Sequence, residues 1–178
     1  MRKMTGFRLT NLLMVSPAAF GFNEETAATN SFQQQPASEQ WEAASRARRE
    51  VADAAAALRA AGARVCVAQD SPQPIKPDAV FHNNWVSFHE DGTVVLYPMM
   101  SPLRRRERRE EVLAQAQREL GFVEQRRVDL SGEEARGRFL EGTGSLVLDR
   151  AARVAYACRS PRTDEALVRE WARIMGYE

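Results

Sequence analysis

The sequence contains little cysteine and little histidine. Its 178 residues include only Cys66, Cys158, His82 and His89 of these two types. Two cysteines are too few for a disulfide framework, which favours a reducing compartment such as the cytoplasm. The four side chains also lack the spacing of metal ligands, so the sequence predicts no metal site.

An excess of charge of either sign is also absent. The chain carries 25 Lys and Arg residues against 24 Asp and Glu residues, a net charge of +1. There is therefore no electrostatic argument for a nucleic-acid or membrane partner. The apolar run nearest the N-terminus, "LLMV", is too short for a signal peptide or a membrane span. The remaining composition, with 44% hydrophobic residues, is typical of a globular domain.

One short pattern occurs twice. "YPMMSP" begins at Tyr97 and "YACRSP" begins at Tyr156, 59 residues later. Each follows an apolar, strand-like run and precedes a helix-like run that ends in Gly and an aromatic residue. Internal repeats of this size indicate units that stack or close into a ring. The sequence therefore predicts a single α/β domain over 1–178, with units at roughly 9–70, 78–130 and 138–178.

Local patterns predict the elements of each unit. The first unit is a strand, a polar loop over 23–36 that forms a candidate substrate lid, a helix capped by Ser38, and a second strand. The second and third units each begin with a hairpin, "DAVFHNNWVSFHEDGTVVLYPM" and "RFLEGTGSLVLDRAARVAYACRS". Each hairpin leads into a helix, one beginning at Ser101 and the other spanning about 163–175.

The repeat also predicts which polar residues lie together. Asn84 and Glu141 occupy matching positions on the hairpin strands, and Arg104 and Arg162 follow the two Ser-Pro pairs. If the units surround an axis, these four side chains converge on it. Arginine forks bind a carboxylate, while Asn and Glu bind a planar, nitrogen-rich head group. The cluster therefore predicts a site for a zwitterionic amino acid.

Four stretches resemble a known family: "MVSPAAFGFNEETAATNSFQ", "PDAVFHNNWVSFHEDGTVVLYPMMSPLRRRERREEVL", "FLEGTGSLVLDR" and "ACRSPRTDEAL". They are similar to the guanidino-group-modifying (pentein) superfamily of arginine deiminases, dimethylargininases and amidinotransferases, and most similar to the citrulline-utilisation hydrolases. The resemblance implies a pentein-type α/β propeller of ββαβ repeats, of which this chain is the N-terminal three-fifths, about three of five units. It also implies hydrolysis of an amidino or ureido C–N bond in citrulline or an arginine-like amino acid, without a cofactor.

The same resemblance assigns roles to the four residues. Glu141 matches the glutamate that holds the terminal nitrogens of the substrate, and Arg104 and Arg162 match arginines that bind its carboxylate. Asn84 stands where a deiminase has an aspartate. An amide both donates and accepts hydrogen bonds, which suits the neutral ureido group of citrulline better than a guanidinium.

The catalytic cysteine and histidine of the family lie in later units, so this chain alone is predicted to be inactive. Cys158 matches none of the family's catalytic positions, and His82 and His89 are expected to be ordinary residues of the surface or of the channel edge. The alternative function is a non-catalytic amino-acid-binding or interaction fragment that forms a homodimer or pairs with another chain through its open edge. For single residues, too, other interpretations remain: Glu141 satisfies nearby backbone amides, Asn84 is a hydrogen-bonding turn residue, and the arginine-rich run over 104–109 is a solvated helix face.

Overall fold

The computed structural model describes residues 11–28, 30, 33 and 40–178, and this part of the chain contains both helices and strands, as the α/β class predicts. The strands are β1 (Asn11–Ser16), β2 (Arg64–Gln69), β3 (Val86–Phe88), β4 (Thr93–Leu96), β5 (Arg126–Asp129), β6 (Leu146–Asp149) and β7 (Val154–Ala157). The α-helices are α1 (Glu24–Ala27), α2 (Gln40–Ala60), α3 (Pro102–Arg105), α4 (Glu110–Leu120), α5 (Gly142–Ser145) and α6 (Glu165–Met175). The predicted cap Ser38 and part of the predicted lid lie outside the described residues.

The first sheet pairs β1 with β2 in parallel. A parallel pair needs a crossover connection, and α2 provides it. The face of α2 that is buried carries Ala44, Ala47, Val51 and Ala55, as the helical spacing predicts. Trp41, which belongs to the same stripe in the sequence, is instead 65% exposed.

The second sheet has the order β3-β4-β5, with β3 antiparallel and β5 parallel to β4. Its hairpin turns at Asp91-Gly92, a residue pair typical of hairpin turns: Gly92 has a φ of +78° and Thr93 N donates to Asp91 Oδ1 over 2.9 Å. The single helix predicted from Ser101 is in fact two, α3 and α4, because the chain is extended at Arg109. Ser101 caps α3, as predicted.

Both predicted hairpins contain a helical turn where a strand was expected. Residues Ala79–Asn84 form a 3₁₀ turn, and α5 occupies the corresponding place in the third unit. The two turns pack so closely that a Cβ on Gly142, which has a φ of +38°, would lie 2.3 Å from Asn83 O. The prediction that Asn84 and Glu141 lie on strands is therefore wrong. Asn84 ends the first turn, and Glu141 immediately precedes the second.

The third sheet is the antiparallel pair β6-β7, followed by α6. Asp164 caps this helix by accepting a hydrogen bond from Leu167 N over 2.8 Å, and Gly176 ends it with a φ of +67°. The helix therefore begins two residues later than predicted and ends at the predicted residue.

The helices α4 and α6 each share a hydrophobic core with two sheets. Val112 and Leu113 of α4 share one cluster with residues of the first and second sheets, including Val15 and Val94. Residues of α6 share another cluster with the second and third sheets; its members are Val95, Tyr97, Val128, Leu130, Leu140, Leu146, Leu167, Trp171, Met175 and Tyr177. Full burial of one such aliphatic or aromatic side chain stabilises the fold by about 1.5–3 kcal/mol. Among the described helices, none has the length and apolarity needed to cross a membrane.

Candidate functional site

The four residues predicted to form the site lie together around Glu141. Arg104 Nη1 is 3.7 Å and Arg162 Nη1 is 3.5 Å from Glu141 Oε2. Asn84 Nδ2 lies 3.5 Å from the main-chain oxygen of Glu141. These residues come from the 3₁₀ turn, α3, the start of α5 and the loop before α6. Their role in binding a substrate stays a prediction.

Glu141 is fixed by the main chain. Its side chain is buried, and Oε1 accepts a hydrogen bond from Met100 N over 3.1 Å. Its own N donates to Ser145 Oγ over 3.0 Å. Gly144 N donates to the main-chain oxygen of Glu141 and not to its carboxylate. The carboxylate therefore does not serve the amides of its own turn, and Oε2 faces the two arginines.

Arg104 is buried to 4% exposure, so the interpretation of this residue as part of a solvated face is wrong. Its Nε and Nη2 donate to the two oxygens of Glu107 over 3.0 and 3.1 Å, and Nη2 also donates to Phe81 O over 3.1 Å. Burial disfavours the charge of Arg104, but Glu107, Asp78 and Glu141 together raise its pKa. One edge of this guanidinium is thus occupied by Glu107, and Nη1 is directed towards Glu141.

Arg162 differs from Arg104 in its exposure. Its side chain is 23% exposed, against 5% for Arg104. Its main-chain oxygen accepts a hydrogen bond from Ser145 Oγ over 2.9 Å, which ties the loop before α6 to the turn that carries Glu141. Arg162 is therefore the arginine of this pair that an arriving anion can reach from solvent.

The sequence did not identify three further members of the cluster: Asn23, Asp78 and Glu107. All are buried, at 1%, 7% and 3% exposure. Asn23 Nδ2 donates to Asp78 Oδ2 over 2.7 Å, and Asp78 Oδ2 lies 3.8 Å from Arg104 Nε. Glu107 could have been identified from its position three residues after Arg104, because a helical turn brings two side chains at that spacing together.

Burial raises the pKa of Glu107 to about 7, although Arg104 opposes this shift. Burial therefore favours the neutral form of this carboxyl group, whereas the adjacent Arg104 favours its ionised form.

The candidate lid contacts the start of α3. Glu25 Oε2 accepts hydrogen bonds from Ser101 Oγ and, over 3.0 Å, from Leu103 N. Asn23 caps α1 by accepting from Glu25 N over 3.1 Å. The segment before α2 is thus joined both to Asp78 and to the helix that carries Arg104.

Arg108 and Arg109 also differ from a solvated face, whereas Arg106 is exposed, as that interpretation expects. Arg108 forms an ion pair with Glu134 that is 2.5 Å long, and Arg109 lies 3.7 Å from Asp70. The side chains of Arg108 and Arg109 are only 18% and 14% exposed. This part of the run therefore joins α3 and α4 to neighbouring segments.

The two cysteines and two histidines of the chain do not form a Cys–His pair beside the cluster around Glu141. Cys66 is buried, which raises the pKa of its thiol to about 12, whereas Cys158 is exposed. His89, expected at the surface or at the edge of the channel, is instead buried, with Nε2 2.9 Å from Ser87 Oγ and Nδ1 3.3 Å from Arg150 Nη1. Within the described residues there is also no group of three or more side chains suited to a metal ion.

Solved structures share this arrangement of helices and sheets. The chain is similar to dimethylarginine dimethylaminohydrolase from Pseudomonas aeruginosa, solved as a mutant complexed with citrulline, with 16% identity and a TM-score of 0.60 over 97% of this chain and 60% of that one. It is also similar to the N-terminal domain of ArgZ, a cyanobacterial arginine dihydrolase solved as a mutant bound to substrate, with 18% identity and a TM-score of 0.66 over 94% of this chain and 55% of that one. Unliganded AgrE is 20% identical, with a TM-score of 0.60 over 88% of this chain and 20% of that one.

The fold is therefore that of the guanidino-group-modifying, or pentein, superfamily, and the superfamily predicted from the sequence is confirmed. The chain spans about 55–60% of the length of the dimethylaminohydrolase and of the ArgZ domain. Residues 16–178 match a family described as "N,N dimethylarginine dimethylhydrolase, eukaryotic", and the chain belongs to that family. No curated protein sequence matches significantly.

Proposed function

We propose that the cluster around Glu141 is the amino-acid-binding part of a hydrolase site that cleaves an amidino or ureido C–N bond. The substrate is citrulline or an arginine-like amino acid. In this proposal Glu141 binds the terminal nitrogens and Arg162 binds the α-carboxylate. Arg104 was predicted to bind the carboxylate as well. Because Glu107 occupies one edge of its guanidinium, Arg104 instead holds Glu141 in place in this proposal. The observation that carries the proposal is the convergence of Asn84, Arg104 and Arg162 on this one buried carboxylate.

Asn84 favours citrulline within this class. The Asn84 amide supplies a donor and an acceptor for a ureido group. A neutral, planar head group suits such an amide better than a guanidinium does.

Catalysis in the whole enzyme would use a cysteine thiolate that attacks the ureido carbon and a histidine that protonates the nitrogen that leaves as its C–N bond breaks. Water, deprotonated by the same histidine, would then hydrolyse the carbamoyl-thiol adduct and release the thiolate. Ornithine, carbon dioxide and ammonia would be the products. We propose that the three hairpin or strand–helix–strand units, at roughly 9–70, 78–130 and 138–178, form part of an α/β propeller around this site. Chain 1–178, without the thiolate and its histidine partner, is expected to bind citrulline without turning it over.

Isothermal titration calorimetry of the 178-residue chain with citrulline and with arginine tests the proposal. We expect citrulline to bind more tightly than arginine, and Glu141→Gln and Arg162→Ala each to weaken binding at least 10-fold, because a charge-assisted contact is lost. Arg136→Ala is the matched control, since its side chain is 70% exposed and lies in an ion pair with Glu133, away from Glu141. Absence of citrulline binding at millimolar concentration in a folded chain contradicts the binding role. Steady ammonia release contradicts the expected inactivity.

A further inference from the structure

Side-chain hydroxyls hold the main chain of Arg162 at both its N–H and its C=O. Arg162 N donates to Ser160 Oγ over 3.2 Å, and Ser160 Oγ donates to Thr163 Oγ1 over 3.1 Å. Thr163 Oγ1 donates to Ser145 Oγ over 2.9 Å, and Ser145 Oγ donates to Arg162 O, also over 2.9 Å. These three hydroxyls, the hydroxyl chain, therefore connect the N–H of Arg162 to its own C=O through continuous hydrogen bonds.

All the bonds of the hydroxyl chain run in the same direction. Each hydroxyl donates one hydrogen bond and accepts at least one, so donors and acceptors are matched throughout. Hydrogen bonds in such a series polarise and strengthen one another. Ser145 and Thr163 are also buried, at 8% and 5% exposure, where an unmatched hydroxyl would be unfavourable. The hydroxyl chain therefore favours a single position of the Arg162 main chain.

The hydroxyl chain also joins Arg162 to Glu141. Ser145 is the last residue of α5, and its Oγ accepts a hydrogen bond from Glu141 N over 3.0 Å. One hydroxyl thus contacts the amide of Glu141 and the carbonyl of Arg162. Directly after Arg162, Thr163 forms an antiparallel bridge with Leu140, the residue before Glu141. The main chains of Arg162 and Glu141 are therefore fixed relative to each other.

The repeated Ser-Pro pattern makes the same contact in two units. In the second unit, Ser101 Oγ accepts a hydrogen bond from Arg104 N over 3.4 Å. In the third unit, Ser160 Oγ accepts one from Arg162 N over 3.2 Å. In both units the serine of the pattern thus binds the main-chain N–H of an arginine that contacts Glu141. The pattern that occurs twice in the sequence therefore helps to place both arginines of the cluster.

A substrate bound between Glu141 and Arg162 needs a definite length. In the proposed function these residues bind opposite ends of one amino acid, the terminal nitrogens and the α-carboxylate. The carboxylate of Glu141 is buried and accepts from Met100 N, so it stays in place. Arg162 Nη1 lies only 3.5 Å from Glu141 Oε2, so its partly exposed side chain must turn away to admit a substrate. Because the main chain of Arg162 is anchored, the reach of its side chain limits how far from Glu141 the α-carboxylate can lie.

We propose that Ser145, Thr163 and Ser160 are positioning residues that set the length of the amino acid that this site accepts. The inference rests on the proposed function and deepens it, since it concerns the specificity of the same site. The three hydroxyls act through the main chain of Arg162 and not on the substrate. With that main chain fixed, the site distinguishes citrulline from homocitrulline, whose side chain is longer by one methylene.

Isothermal titration calorimetry of the 178-residue chain with citrulline and with homocitrulline tests the proposal. In a site of fixed length one methylene changes affinity by about 10-fold or more, so we expect at least that preference for citrulline. Ser145→Ala breaks the contacts with both main chains, and the preference should fall to about 3-fold or less, because Arg162 can then follow the longer ligand. Thr163→Val keeps the shape of the side chain but interrupts the hydroxyl chain, so it should also lower the preference. Thr163→Ser keeps the hydroxyl and should retain the native preference.

Ser87→Ala is the matched control. It also removes a hydroxyl with two hydrogen-bond partners, His89 Nε2 at 2.9 Å and Tyr97 Oη at 2.8 Å, but this hydroxyl does not belong to the cluster around Glu141. Ser87→Ala and Ser145→Ala should lower the melting temperature by similar amounts, yet only Ser145→Ala should change the preference for citrulline. A purely structural role of Ser145 would change the melting temperature alone.

The possible outcomes separate this inference from the proposed function. If Ser145→Ala and Thr163→Val both keep the native preference, the proposal is overturned; if one of the two variants does not fold, the other decides. A native chain that binds citrulline and homocitrulline equally well also overturns it but leaves the proposed function intact. A native chain that binds neither compound contradicts the proposed function and this inference with it.

Discussion

The two buried groups Glu107 and His89 should give the stability of this protein opposite dependences on pH. Burial raises the pKa of Glu107 from its ordinary value of 4.5 to about 7. A raised carboxyl pKa gives stability that is fully present below 4.5 and is lost as pH rises through about 7. Burial, with a contribution from Arg150, lowers the pKa of His89 from 6.5 to about 4. A lowered histidine pKa gives stability that is present above 6.5 and is lost as pH falls through about 4.

The two effects are of similar size. Each folded-state pKa differs from its ordinary value by about 2.5, and each pH unit is worth about 1.4 kcal/mol, so each group changes the free energy of unfolding by about 3 kcal/mol. In the native protein the effects of Glu107 and His89 oppose each other over nearly the same range of pH. We therefore expect a nearly flat stability profile between pH 4.5 and 7. A change of about 3 kcal/mol corresponds to roughly 6–12 °C in Tm for a chain of this size.

Single substitutions separate the two groups. In Glu107→Gln only the His89 effect remains, so the free energy of unfolding should rise by about 3 kcal/mol from pH 4.5 to 7. In His89→Gln only the Glu107 effect remains, so the free energy of unfolding should fall by a similar amount over the same pH range. Urea denaturation at several pH values, monitored by circular dichroism, measures both slopes. Each variant will also lose stability at every pH, so the slope and not the midpoint is diagnostic. If Glu107→Gln and the native protein give parallel profiles, the assignment of the raised pKa to Glu107 is wrong.

Three further predictions concern other parts of the molecule. Gly142→Ala should lower the free energy of unfolding by several kcal/mol, because a Cβ would lie 2.3 Å from a carbonyl oxygen of the 3₁₀ turn; Gly132→Ala, with nothing within 4 Å, is the control in a thermal melt. Trp171→Ala should destabilise by about 3–5 kcal/mol in urea denaturation, since the side chain is completely buried; a loss below about 1 kcal/mol would contradict its place in the core. A thiol-reactive dye should modify Cys158 in the native protein but Cys66 only after denaturation; equal rates for the two would contradict the burial of Cys66.

Much of the fold follows from local sequence signals. The strand–helix–strand order of the first unit, the Asp91-Gly92 turn, the Ser101 cap and the glycines that end α4 and α6 depend on residues close in the chain. The helical turns before β3 and β6 could not be predicted from local sequence, because each turn packs against the other. Asn83 and Gly142 meet although they lie 59 positions apart in the chain, and the sequence around neither residue indicates that contact.

The candidate site was predictable in position but not in detail. The repeat placed Asn84, Arg104, Glu141 and Arg162 near one another, since matching offsets mark matching places in space. It did not reveal that Glu107 occupies one edge of Arg104. It also did not reveal that Asn23 reaches Asp78, because that contact joins residues 55 positions apart without any shared pattern.

The position of α4 and α6 between two sheets has a consequence for how this protein unfolds. Each of these helices supplies core residues to two sheets: α4 to the first and second, and α6 to the second and third. If either helix detaches, both of the sheets that it contacts lose packing. Loss of order in one unit should therefore spread to the adjacent one, and the melting transition should be shared by the chain and not divided among its units. An enzyme site assembled from several such units would form only when all of them are in place.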